Sequence, residues 1–245
     1  METKSLDPKG KLYLIPTRLG DNVSLEVLPI SIKKILEQVH HYIVENEKPA
    51  RRFIKKVSPS KSQKSLIINT INKYTESSEI PNYLTPCLNG ESIGLLSDAG
   101  CPGIADPGAE VIKIAHEKNI TVVPLVGPSS ILLALMSSGM NGQSFTFNGY
   151  LPIDKNERKS AIKKLEKISF ELNQSQIFIE TPYRNDKMLN DLKSILQPNT
   201  KLCVACDITL TTEYIKTKTI AAWKKEEISL HKRPCIFIIQ KEPIT

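Results

Sequence analysis

The sequence lacks any long apolar run, and this absence excludes a helical membrane span. None of its hydrophobic stretches approaches the roughly 18 consecutive apolar residues that a helix needs to cross a bilayer. The opening segment, METKSLDPKG, also lacks the apolar core of a secretory signal peptide. We therefore expect a cytoplasmic protein that has no membrane partner.

Cysteines are few and odd in number. The five cysteines are scattered along the chain, which suits a reducing compartment better than a disulfide framework. Cys203 and Cys206 form the motif C-V-A-C, but neither a second pair nor a nearby histidine accompanies it. We expect these two side chains to be buried strand thiols, with a metal or redox site as the alternative.

The chain also lacks internal repeats and low-complexity tracts, and its 245 residues have room for two α/β domains. In the first half, short apolar runs alternate with helical patterns, which predicts a mostly parallel sheet. After Gly142 strands become more frequent relative to helices, which indicates a mixed sheet. We therefore predict an α/β N-terminal domain over residues 1–125 and an α+β C-terminal domain over residues 126–245.

Positive charge is in excess, because 33 lysines and arginines outnumber 26 acidic residues. Such an excess favours a polyanion when it forms a stripe, although a solvated helix face explains the charge equally well. A second basic cluster, over residues 155–167, interleaves with Glu157, Glu166 and Glu171, so we interpret it as a solvated face. The first cluster consists of Arg51, Arg52, Lys55, Lys56, Lys61 and Lys64.

Glycine and proline concentrate where two predicted strands end. The segment SDAGCPGIADPG (97–108) follows the apolar run 93–96, and PLVGPSS (124–130) ends the next predicted strand. Glycine allows unusual backbone angles and a close approach of a ligand to the main chain, and proline fixes the turn around it. Two strands that end in such loops predict the ligand edge of an open α/β sheet.

Some polar residues of these loops also have purely structural explanations. Asp98 could cap the glycine turn, and we keep this role open beside a role in ligand binding. Ser129 and Ser130 could be N-caps of the following helix, whose N-terminus would still accept an anion such as a carboxylate.

Six motifs, taken in order, resemble one known family. They are LYLIPTRLGD (12–21), ENEKPAR (45–51), LLSDAGCPGIADPG (95–108), VVPLVGPSS (122–130), FNGYLP (147–152) and ETPYR (180–184). Together they resemble the S-adenosylmethionine-dependent methyltransferases of the tetrapyrrole methylase superfamily. Within it they are most similar to the branch that methylates a ribose 2′-hydroxyl of small-subunit ribosomal RNA. The resemblance covers roughly residues 11–240.

The resemblance implies a fold and a ligand. It implies two α/β domains, usually in a homodimer, with S-adenosylmethionine bound in the cleft between them and no metal. The donor-binding residues that it implies are Thr17, Leu19, Gly20, Asp98, Ala99, Gly100, Cys101, Gly103, Ile104, Ala105, Ser129, Ser130, Thr181 and Tyr183.

A ribose hydroxyl must lose its proton during methylation, which requires a base or a polarising cation. Glu45 and Glu213 match acidic residues of the family and are the candidates, although a loop carboxylate is more often a cap or a solvated turn. Arg184 is expected to contact RNA phosphate or, alternatively, to pair with a nearby acid. The remaining expected RNA-binding residues are Arg51, Arg52, Lys55 and Lys56.

The chain departs from the pattern of this branch mainly on the acceptor side. The usual TPIGN, EDTR and RELTK motifs become TRLGD, ENEK and CDITL here. Our main prediction is a methyltransferase acting on RNA, with ribosomal RNA or the small ribosomal subunit as its partner. The alternatives are a methyltransferase for a small tetrapyrrole-like molecule and a paralogue that binds the donor or RNA without catalysis.

Overall fold

A computed structural model describes residues 9–20, 25–72 and 74–242. Most of the N-terminal segment METKSLDPKG lies outside these residues, as does Asp21 of the first motif. The chain forms two compact units, Met1–Ser129 and Ser130–Thr245. The predicted division after residue 125 falls in the loop that precedes the first helix of the second unit.

A parallel sheet of five strands forms the centre of the first unit. Its strand order is β3-β2-β4-β1-β5, and every pairing between neighbours is parallel. The prediction of a mostly parallel sheet is therefore confirmed. The strands are β1 (Lys11–Ile15), β2 (His41–Val44), β3 (Ile67–Thr70), β4 (Ile93–Leu96) and β5 (Thr121–Pro124).

Helices cover both faces of this sheet, because its apolar strands must be buried on both sides. The helices are α1 (Ile30–Gln38), α2 (Glu47–Val57), α3 (Ile80–Tyr83), α4 (Thr85–Leu88) and α5 (Gly108–Glu117), with 3-10 turns at Leu25–Val27 and Gln63–Ser65. One core joins α1 and α2 to Tyr42 and Leu96, and the other joins α3, α4 and α5 to Ile43 and Leu95. Residues 80–88 form two short helices and not one, since Pro86 occupies the first turn of α4.

The strand order brings four loops to one edge of the sheet. All five strands run in the same direction, so their carboxyl ends share that edge. The connection from β1 leads across β4 to β2, whereas the connection from β4 leads across β1 to β5. Where the connections of two neighbouring strands lead in opposite directions, open α/β sheets form the crevice in which they bind ligands.

The second unit contains a mixed sheet of five strands in the order β6-β7-β10-β8-β9. The β6–β7 pair is parallel and the other pairs are antiparallel, so the mixed-sheet prediction is confirmed. The elements are α6 (Ser130–Ser138), β6 (Phe145–Tyr150), α7 (Lys155–Leu172), β7 (Ser175–Ile179), α8 (Asn185–Ile195), β8 (Lys201–Cys206), β9 (Tyr214–Thr219), α9 (Ile220–Trp223) and β10 (Cys235–Gln240).

Buried aromatic side chains anchor the core of the second unit. The rings of Phe178 and Phe237 stack with centroids 5.8 Å apart, and the Trp223 indole donates to the Leu202 carbonyl at 2.8 Å. Cys203 and Cys206 are completely buried in the same sheet, so the prediction of buried strand thiols is confirmed.

Among the described residues, no helix combines the length and the apolar character that a bilayer span requires.

Helix α7 is 18 residues long and has a capping residue at each end. The Asp154 side chain caps its first turn by accepting hydrogen bonds from the backbone N–H groups of Asn156 and Glu157 at 2.8 and 3.0 Å. The helix continues to Leu172 and ends at Asn173, which adopts a left-handed conformation with φ of 47°. A left-handed residue is a common helix stop, and asparagine tolerates that conformation better than most residues.

Candidate functional site

The glycine-rich loop after β4 is shaped by one of its own carboxylates. The Asp106 Oδ1 atom accepts hydrogen bonds from the backbone N–H groups of Gly103 and Gly108, both at 2.8 Å. Gly100 and Gly103 have φ angles of 80° and 81°, a region that glycine enters without strain. Of these two glycines, Gly100 is buried and Gly103 is partly exposed, so the loop presents main chain without a side chain at Gly103.

Asp106 is a structural residue that the sequence reasoning missed. Burial raises the pKa of its carboxyl, although its two backbone hydrogen bonds act in the opposite direction. Its second oxygen, Oδ2, is buried without a hydrogen-bond partner in the described part of the chain. The signal in the sequence was the Asp-Pro-Gly triplet, because an aspartate two residues before a glycine is a frequent turn former.

The loop after β1 is attached to the same glycine-rich loop. The Thr17 backbone N–H donates to the Gly100 carbonyl at 2.9 Å, and its hydroxyl donates to the Ser97 carbonyl at 3.2 Å. A Cβ atom on Gly100 would lie 3.2 Å from the Leu19 side chain. The structure thus brings together Thr17, Leu19 and Gly100, three of the residues expected at the donor site.

The loop after β2 is held by Asp98. The Asp98 backbone N–H donates to the Glu45 carboxylate at 2.8 Å, and the Asn46 amide donates to the Asp98 carboxylate. Asp98 therefore links two loops, whereas Asp106 caps the glycine turn, and the Asp98 side chain remains exposed. Burial raises the pKa of Glu45, and the charges of Asp98 and Asp106 act in the same direction, against the hydrogen bond from Asp98.

The loop after β5 packs tightly against the loop after β1. A Cβ atom on Gly127 would lie only 2.2 Å from the Pro16 Cβ atom, so only glycine fits there without a shift. The Cys101 thiol donates to the Pro128 carbonyl at 3.4 Å, which attaches this loop to the glycine-rich loop. Ser129 ends the first unit, and Ser130 begins α6 in the second.

A cavity of about 280 Å³ lies at this edge, near the lower limit for small-molecule sites. It contains four of the expected donor-binding residues together with Arg52, which was expected to contact RNA. Its lining consists of Thr17, Arg18, Gly20, Pro49, Ala50, Arg52, Phe53, Ser97, Asp98 and Ala99. Expected donor and acceptor residues therefore share one cavity.

The first basic cluster is less uniform than its sequence suggests. Arg51 donates to the Glu47 carboxylate and to the Gln63 carbonyl, both at 2.7 Å, and Lys55 donates to the Pro59 carbonyl at 2.8 Å. Lys61 is buried, and this burial lowers its pKa.

Besides Lys55, three basic side chains of this cluster are exposed. They form no ion pair within the described ranges. They are Arg52, Lys56 and Lys64. The part of the cluster that is open to a phosphate is therefore smaller than the sequence suggested.

In the second unit, the expected site residues bond mainly to their own loops. Arg184 donates to the buried Glu180 carboxylate at 2.6 Å, which is the acid pairing that the sequence left open. Glu213 accepts the Thr209 backbone N–H at 2.7 Å and closes an exposed turn. Thr181 is half-buried beside Glu180, and Tyr183 is exposed.

A charge pair that the sequence reasoning missed joins two further loops of the second unit. The Arg233 side chain donates to the buried Asp207 carboxylate at 2.8 Å and to the Thr212 carbonyl at 2.7 Å. Burial works against the charge of Arg233, but the hydrogen bond and charge of Asp207 outweigh it and raise its pKa. Asp207 lies in the motif CDITL, one of the departures noted above, so the departure itself was the available signal.

Comparison with known proteins identifies relatives along almost the whole chain, although no protein-family model matches it. Ribosomal RNA small subunit methyltransferase I of Buchnera aphidicola subsp. Schizaphis graminum is 31% identical over 238 residues, covering 96% of this chain and 79% of that protein. The protein of the same name from Vibrio cholerae is 28% identical over 231 residues, covering 93% and 76%. The one from Escherichia coli O157:H7 is 26% identical over 235 residues, covering 95% and 78%.

Solved structures support the fold. The methyltransferase CobJ aligns with a TM-score of 0.62 at 12% identity, covering 94% of each chain. Uroporphyrin-III-C-methyltransferase from Thermus thermophilus aligns with a TM-score of 0.54 at 14% identity, covering 95% of this chain and 92% of that one. The predicted fold and the resemblance are thus confirmed, and the chain belongs to the ribosomal RNA small subunit methyltransferase I family of the tetrapyrrole methylases.

Proposed function

We propose that this chain is an S-adenosylmethionine-dependent methyltransferase that methylates a ribose 2′-hydroxyl of small-subunit ribosomal RNA. The observation that carries this proposal is the similarity over 238 residues to a protein named ribosomal RNA small subunit methyltransferase I. Four loops at the carboxyl edge of the parallel sheet support it, because this edge is where open α/β sheets bind small molecules.

The residues of these loops fit the methyl donor. S-adenosylmethionine supplies an electrophilic methyl group when it is bound, so the protein mainly has to position and desolvate it. Gly103 is partly exposed and carries no side chain, so a ligand can approach its main chain closely, and backbone N–H and C=O groups of the loop can bind the amino-acid end or the ribose of the donor. The loop over Gly127 to Ser129 would form another wall.

Glu45 is the better candidate for the base that accepts the ribose proton. Its pKa is raised, which makes its carboxylate a stronger base once it is ionised. Asp98 holds one carboxylate oxygen at 2.8 Å, and the second has no protein partner within the described residues. The Glu213 carboxylate also accepts one backbone N–H, at 2.7 Å, but Glu213 is exposed whereas Glu45 is half-buried.

Arg52 and Lys56 are our candidates for phosphate contacts, because both are exposed on α2 and Arg52 lines the cavity. We also propose a homodimer in the cytoplasm that acts on the small ribosomal subunit. The exposed apolar side chains of Leu132 and Met136, one turn apart on α6, support an interface between subunits. Light scattering coupled to gel filtration tests this assembly through the measured mass.

Titration calorimetry with S-adenosylmethionine tests the donor site. We expect the Asp98→Ala variant to bind the donor about tenfold more weakly, because the loss of a charged hydrogen bond costs about 1.5 kcal/mol. Glu117→Ala is the matched control, since Glu117 is an exposed acid on α5 that does not line the cavity. If the unaltered protein does not bind the donor, the four loops have only a structural role and the proposal is wrong.

A tritiated-methyl assay tests the acceptor. Small ribosomal subunits from cells that lack this protein should take up label into RNA, and nuclease mapping should locate it on a ribose. Donor binding without transfer to RNA would mean that the acceptor is a different molecule or that the chain is catalytically silent.

A further inference from the structure

A second groove lies on the second unit, between the C-terminal half of α7 and the turn that follows α8. Its volume is about 880 Å³, larger than the cavity at the sheet edge of the first unit. Its lining consists of Lys163, Glu166, Lys167, Phe170, Ile195, Gln197, Asn199 and Lys241. None of these residues belongs to the candidate site described above.

Helix geometry places three exposed side chains of the groove in one row. Lys163, Lys167 and Phe170 follow one another at spacings of four and three residues, so they share one face of α7. The Phe170 side chain is 46% exposed, which leaves a large aromatic ring beside two ammonium groups in water. A basic row that ends in an exposed ring has the elements of a single-strand binding surface.

The acidic residues of α7 do not neutralise this row. Glu166 is only 8% exposed, and its carboxylate accepts the Gln197 backbone N–H at 2.8 Å and the Thr200 hydroxyl. Glu171 lies 3.6 Å from the Lys167 ammonium in a pair that is exposed to solvent, and such pairs contribute little. The interpretation of this cluster as a purely solvated face rested on these acids, and their positions weaken it.

A third ammonium group comes from the end of β10. Lys241 is 8% exposed, and its Nζ atom donates to the side-chain oxygens of Asn199, at 2.8 Å, and Gln197. Both partners are neutral, and Lys241 forms no ion pair within the part of the chain that the structure describes. The amide nitrogens of Gln197 and Asn199 have no hydrogen-bond acceptor among the described residues, so they are available to a ligand.

We propose that this groove binds a segment of single-stranded RNA. Lys163 and Lys167 contact its phosphates, and one unstacked base packs on the Phe170 ring. The amide nitrogens of Gln197 and Asn199 donate to the edge of that base. RNA as the ligand rests on the proposed function, and the groove adds a second contact to the same substrate, outside the methyl-transfer site.

The combination of groups favours this ligand over other polyanions. Double-stranded RNA stacks its bases inside the helix and presents mainly phosphates and 2′-hydroxyls. None of its bases is therefore free to stack on the Phe170 ring. Stacking of a base on an aromatic side chain is, in contrast, a recurrent part of single-strand recognition and tolerates different sequences. Free amide donors beside the ring complete a site for an exposed base.

Fluorescence anisotropy with a 5′-labelled single-stranded RNA of about 12 nucleotides, long enough to span one such site, tests the proposal at several salt concentrations. The Lys163→Ala/Lys167→Ala variant should bind about tenfold more weakly, and its salt slope should fall by about 1.4, since each lost phosphate contact contributes about 0.7. Phe170→Ala should weaken binding about fivefold or more and leave the salt slope unchanged. Lys224→Ala/Lys225→Ala removes two exposed lysines of the same unit and should match the unaltered protein.

The outcomes separate the groove from the methyltransferase activity. If the lysine and phenylalanine variants bind RNA as tightly as the control, the proposal that the groove binds RNA is wrong. Methyl transfer by the unaltered protein would still support the proposed function. A lower salt slope with no effect of Phe170→Ala overturns base stacking in favour of phosphate contact alone. Weakened RNA binding in both variants, with no transfer by the unaltered protein, supports the groove and overturns the proposed function. Equal urea midpoints confirm that each variant is folded.

Discussion

The two units hold the loops at their sheets in different ways. In the first unit, Thr17 and Asp98 connect neighbouring loops through backbone hydrogen bonds to Gly100 and Glu45. In the second unit, ion pairs such as that between Asp207 and Arg233 connect the loops. Hydrogen bonds from backbone groups do not require a charged partner, whereas each ion pair occupies charges that could otherwise have bound a ligand.

The carboxylates show the same difference. Glu45 and Asp106 of the first unit form no ion pair within the described residues, and burial raises the pKa of both. Glu180 and Asp207 of the second unit each pair with an arginine. Perturbed, unpaired carboxyl groups beside a cavity are typical of functional sites, which favours the first unit as the place of the chemistry.

The largest effect that we expect comes from filling the contact between two loops of the first unit. Gly127→Val should destabilise the protein by about 3 kcal/mol, because its Cβ would lie 2.2 Å from the Pro16 Cβ and the loops would have to separate. The free energy of unfolding in urea measures this effect.

Gly142→Ala is the control for this variant. Gly142 has nothing within 4 Å of a Cβ position, so we expect a change within about 0.5 kcal/mol. Equal effects of the two substitutions would contradict the close packing of the loops after β1 and β5.

A smaller effect should follow from breaking the ion pair of the second unit. Arg233→Ala should cost about 2 kcal/mol of stability, because it leaves the buried Asp207 carboxylate without its cation. Lys167→Ala removes one member of an exposed pair and should cost less than about 0.5 kcal/mol. If Arg233→Ala also abolished donor binding in calorimetry, the view of this pair as structural would be wrong.

Much of the fold could be predicted because apolar runs and glycine or proline signals mark strands and loops locally. Strand β4, for example, occupies the apolar run 93–96 that precedes the glycine-rich loop. The division of α3 from α4 depends on where Pro86 falls in a turn, and the end of α7 depends on a left-handed Asn173. Such details depend on backbone geometry that residue type alone does not determine.

The site was less predictable, because neighbouring residues of one type differ in direction. Arg51 and Arg52 are adjacent, but successive helical residues point about 100° apart. Arg51 therefore reaches Glu47 and Gln63, while Arg52 lines the cavity. The roles of Asp98 and Asp106 depend in the same way on which donor each carboxylate meets. Asp98 accepts from the Asn46 side-chain amide, and Asp106 accepts from the backbone N–H groups of Gly103 and Gly108.

The smallest expected effect concerns how stability changes with pH, and it should have opposite signs in the two units. Burial raises the pKa of Glu45 above its ordinary value of 4.5, so the folded state binds that proton more tightly than the unfolded chain. Its contribution to stability should therefore decrease as the pH rises from about 4.5 through the raised pKa. Glu45→Gln should remove this dependence, which urea unfolding at several pH values measures.

Glu226 of the second unit provides the opposite case. The hydrogen bond from Lys218 lowers the pKa of Glu226, so its contribution is present above the ordinary value of 4.5 and is lost as the pH falls through the lowered pKa. Relative to the unaltered protein, Glu45→Gln should therefore gain stability as the pH rises, whereas Glu226→Gln should lose it. The same sign for both variants would mean that the carboxylates of the two units do not differ as the ion pairs indicate.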